Sequence, residues 1–106
     1  MDLDFFAEKM NNAHFIQPLL PNENLRIEFF VKNINKKSTL VLQKGNCHIS
    51  SDDEFFHVQI IGEEKHFQDC FHSPIRLLQL VKLGAMEAKG SFRNILRIES
   101  LIQLCK

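Results

Sequence analysis

The amino-acid sequence predicts an α+β fold in which helices pack on one face of a five-stranded sheet. Three observations carry this. Short stretches between Leu25 and Ile61 alternate apolar and polar residues, and the spacing lengthens to three or four residues after Gly62. The order of segments is helix, four strands, two helices, strand, helix. The helices after Gly62 are apolar around much of their circumference, so something must cover them.

In chain order, Asp2 or Asp4 can cap a first helix with Leu3, Phe6, Met10 and Ala13 at helical spacing, and Pro18 and Pro21 are expected to stop it. Leu25–Val31 predicts a strand with Leu25, Ile27, Phe29 and Val31 on one face. The polar NINKKS segment turns the chain into a second strand, STLVLQ, and Gly45-Asn46 suits a two-residue hairpin turn into a third, CHIS. SSDDE is the next turn, and FHVQII brings Phe56, Val58 and Ile60 to one face of a fourth strand that Gly62 breaks.

Glu63 and Glu64 suit the first turn of a short helix carrying Phe67 and Phe71. Ser73-Pro74 reads as a cap and first position for IRLLQLVKL, which Gly84 ends; only Arg76, Gln79 and Lys82 are polar there, a narrow stripe. AMEAK gives the fifth strand. Gly90 allows a turn, and Ser91 caps a final helix from Phe92 to about Leu104. The first strands form an antiparallel meander, and the last must return across the intervening helices, which sets those helices on one face.

A chain of 106 residues is one domain, residues 1–106, able to bury roughly 65% of its unfolded surface. No apolar run approaches a membrane span, and the acidic MDLDFFAEKM start lacks the features of a secretory signal, so a cytoplasmic protein is expected. Cys47, Cys70 and Cys105 form no paired spacing and read as reduced thiols. Zero net charge argues against a nucleic-acid partner. The charge is nonetheless uneven: residues 1–75 carry seven Lys/Arg against eleven Asp/Glu, whereas 76–106 carry six against Glu87 and Glu99. That asymmetry leaves open a solvated face or an anionic ligand.

The Val/Ile strand ending at Gly62, the apolar helix ending at Leu83-Gly84, the strand Ala85–Lys89, then Gly90 and a helix with the pair Ile95-Leu96 together resemble the sterol carrier protein 2 domain, best over Val58–Leu104. The resemblance implies a five-stranded mixed sheet with helices on one face. It also implies an apolar tunnel between them, holding a fatty acid, acyl-CoA, phospholipid or sterol, in a non-enzymatic carrier without cofactor. The short N-terminal part and the Leu104-Cys105-Lys106 end, which is not a peroxisomal address, depart from the eukaryotic carriers; a bacterial stand-alone binder of acyl lipid fits better than a sterol carrier. Candidate lining residues are Phe56, Ile60, Phe71, Leu78, Met86 and Ile95. Lys89 and Arg93, flanking the start of the last helix where cations oppose the macrodipole, are candidate headgroup ligands.

The apolar arc of the last helix, Phe92, Ile95, Leu96, Ile98, Leu101 and Ile102, suits a helix that packs on a sheet and lines a tunnel; on pattern alone it equally suits a dimer interface or a helix buried under its neighbours. The alternative function is therefore an interaction module, a homodimer without a cavity. Membrane contact would be transient at most. His66, Asp69, Cys70 and His72, with Cys47-His48, lack the paired clusters of a zinc site, and no base or oxyanion site accompanies the thiols. Glu99, inside the arc, needs a partner such as Arg76 or Arg97, or else a ligand headgroup.

Overall fold

The computed structural model describes residues 3–50 and 55–106. Asp2 and residues 51–54, most of the expected SSDDE turn, lie outside the described residues. Helix α1 (Leu3–Asn12) buries Leu3, Phe6, Ala7 and Met10, one helical stripe, with Asp4 inside its first turn. No proline ends it. A 3-10 turn, His14–Leu19, follows directly and contains Pro18, so the expected stop at Pro18 is corrected to Asn12.

Strand β1 (Leu25–Val31) pairs antiparallel with β2 (Lys36–Leu42), which pairs antiparallel with β3 (His48–Ser50). β2 starts inside the predicted turn, because a 3-10 turn at Lys32–Ile34 and Asn35 at φ 48° reverse the chain within four residues. The β2–β3 link is longer than a two-residue hairpin. Val41 faces His48 across the ladder, and the tight turn centres on Lys44-Gly45, closed by the Asn46 N–H on Gln43 O at 3.0 Å with Gly45 at φ 80°. Asn11 clamps that link to α1 by accepting from the Cys47 N–H (2.7 Å) and donating to Cys47 O (2.8 Å).

β4 (Val58–Gly62) runs parallel to β1, and β5 (Met86–Lys89) antiparallel to β4, so the sheet order is β3-β2-β1-β4-β5. The meander thus ends at β3, and the sheet is mixed. One sheet face gathers Leu25, Ile27, Phe29, Val31, Leu40, Leu42, Val58, Ile60 and Met86 into a single core with the helices. On the opposite face Arg26 is buried, its Nε donating to Phe55 O at 2.9 Å with the guanidinium over the Phe55 ring. Phe55, shortly before β4, therefore lies against that face. Phe56 precedes the first ladder pair, Ile27 with Val58, so it is not a strand residue and is exposed.

After Gly62, α2 (Glu64–His72) buries Phe67 and Cys70. α3 (Leu77–Lys82) begins three residues later than Ser73-Pro74 predicts, because its N-terminus is capped at Arg76 and Leu78: Gln79 Oε1, from the helix itself, accepts the Arg76 N–H (2.8 Å), and the remote Glu99 Oε2 accepts the Leu78 N–H (2.8 Å). The other oxygen of Glu99 lies 3.7 Å from Arg76 Nη1. Glu99 thus has the structural partner expected for it. The final helix, α4 (Phe92–Leu104), is capped by Ser91 Oγ on the Asn94 N–H at 3.2 Å. α4 spends only part of its apolar arc on the core: Ile95, Ile98, Leu101 and Ile102 are buried, whereas Phe92 and Leu96 are exposed. Of α3, Leu77 and Leu80 are buried, and Leu83 beyond it is 77% exposed, so the helix is less covered than its narrow polar stripe predicts.

Candidate functional site

The aromatic side chains form a continuous path from the sheet to the outermost helix. Phe29 of β1 meets Phe67 (6.0 Å between ring centroids) and Phe71 (5.9 Å) of α2, and Phe71 meets Phe6 of α1 edge-on at 5.2 Å. Where this path reaches the surface, a cavity of about 100 Å³ opens between α1, α2 and the end of α4. Phe6, Phe71, Ile102 and Cys105 form its apolar walls, and Phe5, Lys9, His72 and Lys106 complete the lining.

Two ammonium groups strap the cavity. Lys9 Nζ donates to Cys105 O at 2.6 Å, joining α1 to the end of α4, and Lys106 Nζ donates to Ser73 O and to Ile75 O (2.9 Å). Burial is the main cause holding Lys106 below the ordinary lysine value, with Arg76 adding in the same direction. The cavity is therefore apolar inside and cationic beside its opening.

The thiols offer no reactive alternative. Burial pushes Cys70 and Cys105 each up to about 11 and raises Cys47, so all three are protonated at neutral pH and poor nucleophiles. Among the described residues, no three His, Cys, Asp or Glu side chains are grouped to hold a metal ion. Alkylation of Cys70 in the native protein is expected to be slow and to become fast on unfolding. Because Cys70 titrates higher folded than unfolded, its contribution to stability is intact below about pH 9 and is lost as the pH rises towards about 11. Urea midpoints measured across that interval should fall; a rising midpoint would contradict the assignment.

The candidate lining residues separate into three groups. Ile60, Met86 and Ile95 lie together in the closed core, with Phe71 and Leu78 packed against it as half-buried residues. Phe71 alone of these reaches the cavity. Phe56 is exposed before β4, and Lys89 and Arg93 are exposed at the turn into α4, where Arg93 lines a separate groove. Phe5, Phe6, Lys9, His72, Cys105 and Lys106 are not among the ligand residues that the sequence suggests, and Ile102 enters only as part of the apolar arc of the last helix. The available signal was the adjacent Phe5-Phe6 pair, since one helix face cannot bury both.

No protein-family model matches the chain. Its sequence is 27% identical over 90 residues to the SCP2 domain-containing protein YusD of Bacillus subtilis (strain 168), covering 85% of this chain and 78% of that protein. Among solved structures, the UbiJ-SCP2 ubiquinone synthesis protein superposes with a TM-score of 0.74 at 15% identity, over 97% of this chain and 90% of its own. The sterol carrier protein domain 2 of Helicoverpa armigera superposes with a TM-score of 0.70 at 9% identity, over 97% and 84%.

Proposed function

We propose that this chain, a member of the sterol carrier protein 2 family by its sequence likeness and its fold, binds a lipid whose acyl chain enters the cavity between α1, α2 and α4. The observation that carries this is the apolar-walled cavity that opens onto the helix side of the core with two ammonium groups at its edge. The named neighbours, a sterol carrier and a ubiquinone synthesis protein, concern apolar small molecules and support the same class of ligand.

At about 100 Å³ the cavity is smaller than the roughly 300 to 1,000 Å³ of ligand sites, so binding widens it. The widening has a defined starting point. A carboxylate arriving at the opening competes with Cys105 O, Ser73 O and Ile75 O for Lys9 and Lys106, and charge-assisted hydrogen bonds are stronger than those to neutral carbonyls. Releasing those straps frees the end of α4 and α1 to separate. A chain that displaces Phe71 then meets Phe29 and its cross-strand neighbour Ile60. The role is carriage or presentation without chemistry, in keeping with three protonated, buried thiols.

Ile102→Trp, which fills the cavity from α4, is expected to weaken displacement of a fluorescent fatty acid by roughly tenfold or more, the equivalent of about 1.4 kcal/mol of lost burial. Phe71→Trp, at a half-buried position, tests the same wall with less risk to folding, and thermal unfolding of both variants identifies any that misfold. Wild-type displacement by two folded, cavity-filled variants would overturn the proposal.

A further inference from the structure

We propose that the outer face of α4 is a second binding site, distinct from the cavity, for a single-chain amphiphile whose head carries an anionic oxygen. The chain from Pro18 to Leu25 runs beside α4, and two concavities lie along this seam. One is a groove of about 570 Å³ lined by Pro18, Leu19, Phe92, Leu96 and Leu101 with Arg93, Arg97 and Ser100. The other, of about 170 Å³, is polar, with Asn24, His57, Asn94 and Glu23 in its lining. Arg97 lines both.

Leu19, Phe92 and Leu96 are the apolar residues that the core leaves exposed here, and from Phe92 to Leu101 the helix rises about 13 Å, room for an extended chain. Arg93 and Arg97, one turn apart on the helix, repel each other, and among the described residues neither has a hydrogen-bond or ion-pair partner. An anionic oxygen between them removes that conflict. His57, in the lining of the polar concavity, accepts the Arg26 N–H on Nδ1 at 3.0 Å, which leaves Nε2 to carry the ring proton as a donor. Asn94 supplies an amide beside it. Glu23 is the carboxylate of the combined lining, against two guanidinium groups, so the seam remains net cationic.

A second copy of the chain fits this face poorly. A two-fold contact sets the same patch against itself, here one net cationic surface against another.

The test is an amide NMR titration of the full chain with dodecyl phosphate, dodecanol and inorganic phosphate. Dodecyl phosphate should shift amides around Leu19–Asn24 and Phe92–Leu101 and bind roughly tenfold more tightly than dodecanol, as expected for one charge-assisted contact. Arg97→Gln should remove that advantage and leave dodecanol binding in place. The same shifts should persist in Ile102→Trp, which keeps the outcome separate from that of the cavity. Equal binding of dodecyl phosphate and dodecanol, or an unaffected Arg97→Gln, would overturn the site. So would inorganic phosphate binding as well as dodecyl phosphate, or shifts that track self-association in sedimentation and not the ligand.

Discussion

Replacing Gly90 with alanine is expected to destabilise the protein by roughly 3 kcal/mol, combining an unfavourable backbone conformation with a steric clash. Gly90 sits at φ 141°, between β5 and α4, and a Cβ there would stand 2.7 Å from His57 O and 3.0 Å from Val58 Cγ2. Neither can yield easily. Val58 is fully buried at the start of β4, and the His57 N–H is bonded to Arg26 O at 2.9 Å. Gly84 provides the control, since it also has positive φ (76°) but nothing within 4 Å of its would-be Cβ; Gly84→Ala should cost only about 1 kcal/mol. In a domain of this size the first variant should lose roughly 15 °C in Tm. Equal losses for the two variants would show that the contact with β4 does not matter.

Phe29→Ala is expected to cost about 3 to 5 kcal/mol, the range for deleting a buried phenylalanine and leaving a void. Phe29 is 1% exposed and holds the sheet against both phenylalanine rings of α2. Its sequence neighbour Phe30 lies on the opposite face, half-buried with Lys37 over its ring, and Phe30→Ala should cost roughly 1 kcal/mol. Urea unfolding of the two variants measures the difference directly. Similar midpoints would mean that the core is not organised on the Phe29 side of β1.

Period-two and helical patterns made most of the elements legible. β1 was read with its observed bounds, and α4 was placed by its serine cap, because both depend on neighbours in sequence. The misplaced boundaries have long-range causes. α3 takes a cap from Glu99, twenty-one residues further on, and so ignores the local Ser73-Pro74 signal. The parallel pairing of β4 with β1 cannot be seen in a strand that looks the same in either direction. Phe56 continued the alternation of β4, but the ladder begins two residues later.

The cavity was less legible for the same reason. Its walls come from both ends of the chain, Phe6 and Lys9 on one side and Ile102, Cys105 and Lys106 on the other, with Phe71 between them. Only packing brings these together. On pattern alone the broad apolar arc of α4 suits a helix that packs on the sheet and lines a tunnel, a dimer interface, or burial under neighbouring helices. In the structure it divides into a buried face under Ile95, Ile98, Leu101 and Ile102 and an exposed face at Phe92 and Leu96.

The most direct test of lipid binding in the cavity is isotope-filtered NMR on the protein with a carbon-13-labelled fatty acid, which reports the protons that lie against the acyl chain. Binding as proposed predicts intermolecular contacts from the chain to the Phe6 and Phe71 rings and to the Ile102 methyl groups, lost in Ile102→Trp. A protein that takes up no fatty acid, or contacts from the acyl chain that never include Phe6, Phe71 or Ile102, would contradict it.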